Sequence, residues 1–438
     1  MEITIHRGTH QIGGCVTEIR NDKARIIIDV GSNLPGTKKL RKIPGCIKEI
    51  TRGCNGVFVT HYHGDHIGQF SCVASGVDIY MGEASKKMFL SLQEALDRRN
   101  IKDARPDIVK SFITFKPGPG NEITSIPGMI ITPILTDHSA YDAYMYLIKC
   151  NISNKTVLIT GDFRTHGRKG ASVLDTLSDV AKNVDVLITE GTMLSRENKT
   201  VKEEKEFAKE VEEFLNENKN VFLLCSSMNI DTIAQFYNTL CERHSERPFI
   251  VAEKDLQNAI LDIVAEHNNG DAYYDFNKQP RYSYTINDFE GTLSFPEDTK
   301  KLMKDDKGFC MLITANGIGE HALKKKKYHN NSVIVYSMWK GYLNKKHSAF
   351  NKRIYQFIKA AEKRGTTINY DLHTSGHASP AAIEDVYNVI KPDRLIPFHC
   401  EDPEDFKTLK IPKEKIIVMN DEETYDVVSK QKTTTSVL

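Results

Sequence analysis

Long apolar runs, paired cysteines and a surplus of charge are all missing from these 438 residues, and each absence removes a class of protein. No stretch of about 18 apolar residues occurs, so no transmembrane helix is expected. The opening MEITIHRGTH carries no basic segment leading into an apolar one, so neither a secretory signal nor a membrane partner is expected. Nine cysteines are scattered without one CxxC pair, which points to reduced thiols in a cytoplasmic protein and not to a disulfide scaffold. No GxxxxGK[ST] loop is present, which argues against ATP use. The formal net charge is only +1, so nucleic-acid binding would need a local patch.

What is present describes a globular α/β chain long enough for two or three domains, with 40% hydrophobic and 27% charged residues. Short apolar runs at 25–30, 56–60, 156–160, 184–189 and 394–398 read as buried strands. Between 202 and 218 the pattern changes: Phe207, Ala208, Val211, Phe214 and Leu215 recur at helical spacing among Lys and Glu. Strands near 220–225, 248–252, 310–314 and 332–336 then alternate with helices near 232–243 and 256–267, as in a separate parallel α/β unit. From Lys324 to Arg364 the chain holds twelve Lys or Arg and one acid, Glu362. A charge run is ordinarily a solvated face, but one this one-sided attracts a phosphate backbone.

The densest chemistry is VTHYHGDHIG, where His61, His63, Asp65 and His66 fall within six positions after an apolar run. In a helix His61 and His63 would diverge, and Gly64 disfavours one, so a turn is expected in which all four side chains converge. Imidazole and carboxylate suit zinc or a similar divalent ion, manganese included. Four donors cannot share one tetrahedral ion and leave a position open, so two ions are expected: His61 and His63 on one, Asp65 and His66 on the other. His138, Asp162 and His399, each just after an apolar run, are the candidates for the remaining ligands, with Asp162 as the bridge.

In this setting HYHGDH resembles the HxHxDH signature of the metallo-β-lactamase fold, and Asp29, His138 and Asp162 follow in that superfamily's order. Glu190, His377 and His399 resemble motifs A, B and C of its β-CASP nucleases, and histidine at 399 is similar to the RNA-cutting branches. The ribonuclease J family is the nearest resemblance, from Gly13-Gly14-Cys15 through TGDF and SGHAS to PFHCE. Cys400 departs from the glycine usual there, and the loop from Thr314 to Glu320 only loosely echoes that family's. The resemblance implies an αββα sandwich, residues 1–199 and 351–438, interrupted by an inserted α/β β-CASP domain at 200–350. It also implies that the family's C-terminal domain, tied to dimer formation, is lacking, which leaves a homodimer an open expectation.

The activity so implied is zinc-dependent hydrolysis of single-stranded RNA, with DNA a poorer substrate, from the 5′ end and at internal bonds, by a hydroxide that two metals activate. Asp65 and Asp162 are expected at the reacting centre. His377 would protonate the leaving oxygen or bind a phosphate, and Glu190 would orient a metal-bound histidine. Ser379 before Pro380 reads as the cap of a helix whose free amides favour anions, with Ser375 and Gly376 beside it. Ser226, Ser227 and Asn229 are expected on the RNA backbone, although a helix cap accounts for them as well. Lys324, Lys325 and the neighbouring aromatics Tyr328, Trp339 and Tyr342 suit charge and base stacking, with burial as the alternative for the last two. Two competing readings stay open: a binuclear hydrolase of some other small molecule, and a non-catalytic RNA-binding subunit.

Overall fold

Side-chain alternation along the strands builds the first layer of organisation, because successive residues of a strand point to opposite faces of its sheet. In the computed structural model, which describes residues 1–34, 46–196, 200–283, 285–287, 292–294, 301, 303, 306–324, 331–347 and 349–434, the chain divides into two units. The first comprises Met1–Leu90, Ile101–Val201 and Gly376–Leu438; the second comprises Ser91–Asn100 and Lys202–Ser375.

The first unit holds two sheets. One has eight strands in the order Gln431–Thr434, Glu423–Asp426, Glu2–Arg7, Val16–Arg20, Arg25–Ile28, Gly56–Phe58, Ile79–Gly82 and Ile113–Phe115. The other has five, in the order Arg394–Phe398, Val186–Glu190, Lys155–Ile159, Tyr144–Cys150 and Met129–Leu135. Ile3, Ile5, Ile26, Ile28 and Phe58 from one sheet share a single core with Val157, Ile159, Val186, Ile188, Ile396 and Phe398 from the other. The intervening residues Leu158, Leu187 and Leu395 point the opposite way, into a second core with helices Gly170–Val180 and Pro380–Ile390. This is face-to-face sheet packing with helices outside.

Strand direction positions the site. Arg394–Phe398, Val186–Glu190 and Lys155–Ile159 run parallel, and Met129–Leu135 is related to them by two antiparallel steps, so four of the five strands end at the same edge.

The second unit is a six-stranded, wholly parallel sheet in the order Arg281–Ser283, Phe249–Val251, Phe309–Ile313, Asn220–Leu224, Val333–Tyr336 and Thr367–Asn369. Its amphipathic helix Glu204–Glu217 buries Phe207, Val211 and Leu215 as the spacing implies. Helix Lys352–Lys363 buries Phe357, Ile358 and Ala361, and strand Thr367–Asn369 pairs with Val333–Tyr336. These two elements carry the unit to Ser375, so the chain returns to the first unit at Gly376 and not near position 351. Among the described residues no helix is long and apolar enough to cross a membrane.

The first strand is tied to residues near the other end of the chain by an ionic junction. His6 lies 3.1 Å from Glu18 and 2.9 Å from Glu422, and Arg25 lies 3.0 Å from the same Glu18. Burial alone would lower the His6 pKa, but hydrogen bonds to the two carboxylates outweigh it and push it up to about 9. The folded value stands above the ordinary 6.5, so the stabilisation is present in full below about pH 6.5 and is lost as pH rises through 9. Wild type should therefore lose on the order of 3 kcal/mol relative to His6→Gln between pH 6.5 and 9. Denaturant melts of both proteins across that range check it, and parallel pH profiles would contradict it.

Candidate metal centre

Strand Gly56–Phe58 delivers His61 and His63, and His63 then starts a one-turn helix, Gly64–Ile67, that carries Asp65 and His66. The sequence pointed to a turn without a helix; Gly64 is instead the first helical residue. So short a helix satisfies few of its carbonyls itself, and neighbouring loops supply further donors. Val30 N donates to His66 O at 2.7 Å, Ser32 N to Gly64 O at 2.8 Å and Cys15 N to Asp65 O at 3.1 Å. Only glycine permits this approach at position 31, where a Cβ would stand 1.7 Å from Asp65 O.

The remaining donors arrive from the common edge of the five-stranded sheet. His138 follows Met129–Leu135, Asp162 follows Lys155–Ile159, Glu190 ends Val186–Glu190, and His399 follows Arg394–Phe398 with φ of +49°. The ligand atoms of His61, His63 and His138 lie within 4.8 Å of one another, as do those of Asp65, His66, Asp162 and His399. Asp162 Oδ2 stands 3.3 Å from His66 Nε2 and 3.8 Å from His61 Nε2, and so faces both groups.

Electrostatics separates the two groups. Burial pushes His61 and His138 well down and His63 to about 4, so all three are neutral imidazoles with lone pairs to offer. At His66 and His399 burial acts in the same direction, but carboxylates outweigh it: Asp162 and Asp29 raise His66, and Asp162 and Asp65 raise His399. Burial would raise Asp162, yet His399, His66 and His377 hold it well below the usual carboxylate range. His66 Nε2 and Asp162 Oδ1 are buried and make no hydrogen bond. Buried polar atoms without a hydrogen-bond partner are costly unless a cation completes them, and the nitrogen and oxygen donors fit divalent metal.

Other side chains aim the ligands. Asp29, itself at φ of +63°, lies 2.7 Å from His66 Nδ1 and accepts from Thr60 N and Thr60 Oγ1, both at 2.8 Å. Thr192 Oγ1 pairs with His399 Nδ1 at 2.7 Å, and Gly376 O with His138 Nδ1 at 2.5 Å. Thr60 and Thr192 escaped the sequence reading; their only signal was adjacency to the HYHGDH and EGT stretches. Glu190, expected to orient a metal histidine, is paired instead with His377, 3.1 Å from its Nδ1, and accepts from Phe163 N at 2.9 Å and Ala378 N at 3.2 Å. His377 Nδ1 is 3.5 Å from Asp162 Oδ2. Ser379 caps helix Pro380–Ile390 through Ala382 N.

Of the expected RNA contacts, Ser226, Ser227, Asn229, Ser375 and the basic run fall in the second unit, whereas Gly376, His377 and Ser379 fall in the first. Asn229 caps helix Ile230–Arg243, Ser227 is buried and accepts from Gln257, and Ser226 is exposed with its hydroxyl accepting from Met228 N. Lys324 ends helix Gly317–Lys324 and is exposed; Lys325 and Tyr328 lie outside the described residues. Trp339 is half-buried, with ring centroids 5.6 Å from Tyr342 and 4.6 Å from His347.

Residues 14–184 match the family model of the metallo-β-lactamase superfamily. That segment contains six of the seven ligand candidates and stops short of Glu190, His377 and His399. A curated relative, "Probable RNase MJ4" of Methanocaldococcus jannaschii, is 26% identical over 204 residues, 44% of this chain and 45% of that protein, so under half of the relative's length is matched. A crystal structure of a protein of unknown function from Enterococcus faecalis V583 shares the fold over 97% of this chain and 99% of its own, with a TM-score of 0.71 and 19% identity.

Removing the carboxylate that aims His66 should weaken metal binding while leaving every ligand in place. Asp29→Ala is expected to bind zinc about 10- to 100-fold more weakly than wild type. Chelator-competition titrations measure this, and equal affinities would show that Asp29 does not support the centre.

Proposed function

We propose that the protein is a zinc-dependent ribonuclease of the β-CASP type, similar to ribonuclease J, that hydrolyses phosphodiester bonds of single-stranded RNA from the 5′ end and at internal sites. The observation that carries this reading is the meeting of two donor groups on Asp162, with the Glu190–His377 pair alongside. His61, His63 and His138 would hold one ion and Asp65, His66 and His399 the other, with Asp162 shared. Two ions bound there supply an activated water at neutral pH and Lewis acidity toward the phosphate oxygens.

The chain's own residues supply the rest. Glu190 fixes the His377 ring through Nδ1, so protonation of the leaving 3′ oxygen falls to Nε2. The start of helix Pro380–Ile390, capped by Ser379, favours an anionic backbone close in sequence to His377. The basic, aromatic stretch around Trp339 supports a single-stranded nucleic acid as substrate, and the relative's name points the same way.

Asp162→Ala and His63→Ala should lose cleavage of a 5′-labelled single-stranded RNA in zinc-restored buffer, with the fold intact. His377→Ala should retain zinc while kcat falls by about 10²- to 10⁴-fold. Wild-type affinity for RNA should weaken steeply with salt, through release of counterions from the phosphates. Full activity in Asp162→Ala would overturn the assignment. RNA affinity indifferent to salt would return the protein to hydrolases of other substrates, and labelled DNA cut as fast as RNA would move it to the deoxyribonucleases.

A further inference from the structure

The loops that deliver His138 and Asp162 are joined by a buried ion pair. Asp137 immediately precedes His138, and Arg164 follows Asp162 by two residues. Arg164 Nε donates to Asp137 Oδ1 at 2.7 Å, and both side chains are only 2% exposed. Arg164 N also donates to Asp137 O at 2.8 Å, and Lys169 N to Asp137 Oδ2 at 2.7 Å. Gly167 packs so tightly here that a Cβ would stand 2.5 Å from both Arg164 Nε and Asp137 Oδ1.

Stability does not account for such a pair. Desolvating a guanidinium and a carboxylate costs about what their attraction returns, and well-packed apolar residues often serve as well. A fixed fork does offer geometric definition. The pair also completes a ring of contacts around the site. His138 Nδ1 meets Gly376 O, His377 next to it meets Glu190, Glu190 accepts from Phe163 N, and Arg164 next to that returns to Asp137 beside His138. Asp162 faces both donor groups while His138 belongs to one, so the loop spacing bears on both metal positions together.

We propose that Asp137 and Arg164 are positioning residues whose ion pair sets the spacing of the His138 and Asp162 loops and thereby couples occupancy of the two metal positions. This rests on reading the seven side chains as metal ligands. Two variants disturb the pair in different ways. Asp137→Asn with Arg164→Met removes both charges and keeps an acceptor for Lys169 N. Gly167→Ala wedges a methyl against the pair without unpairing it.

Metal-stripped wild type and both variants are titrated with zinc under chelator competition, with thermal melts of the stripped proteins alongside. Wild type should bind two equivalents. In each variant one equivalent should bind about 10- to 100-fold more weakly, separating from the other, while the melting of the stripped double variant stays near that of wild type. Cleavage by the variants should recover as zinc is raised. A folded variant of either kind that binds two equivalents with wild-type affinity overturns the proposal. Failure of wild type itself to bind zinc would instead overturn the ligand reading on which it rests.

Discussion

A single buried carboxylate governs the architecture of the first unit. Asp162 Oδ2 lies 3.3 Å from His66, 3.5 Å from His377 and 3.8 Å from His61, and its Oδ1 lies 3.6 Å from His399. A carboxylate 2% exposed and without a hydrogen bond to Oδ1 is tolerable only if positive charge surrounds it. The imidazoles do this in part, and a divalent cation would do it better. Four separate chain segments must therefore meet at one point, and most of the local structure is arranged to hold them there.

The sheets provide the convergence and the loops absorb its cost. Four strands of one sheet end at a common edge, so a residue placed just beyond each strand arrives near the others without a long loop. The last degrees of aim require unusual backbone. Asp29 and His399 adopt positive φ, each at a cost on the order of 1 kcal/mol for a residue with a Cβ. Strain of this kind persists where surrounding contacts over-determine it. Here Asp29 is held by Thr60 and His66, and His399 by Thr192.

Legibility in the sequence followed the range of each interaction. The HYHGDH stretch could be read directly because four donors in six positions rarely serve anything but a cation, and the apolar runs announced the strands that position His138, Asp162 and His399. Helix 204–217 was likewise visible from its period. The one-turn helix at Gly64 was not, because glycine propensity argues against it and the carbonyls that pin it are satisfied by residues 30 to 50 positions earlier. The boundary at Gly376 was hidden for a similar reason: strand Thr367–Asn369 is three residues long, and it is placed by pairing with Val333–Tyr336, more than 30 residues earlier.

By itself, the amino-acid sequence determined the chemistry available: which residues can ligate a cation, which segments can be strands or helices, and where positive charge is concentrated along the chain. Composition and spacing suffice for these because they depend on side-chain type and near neighbours. Only the tertiary structure decided which groups act on which. It turned Glu190 toward His377, set Asp29 against His66 and Thr192 against His399, and closed Asp137 on Arg164. These pairings join residues 27 to 207 positions apart, and their partners are fixed by strand order and register, which no local pattern encodes.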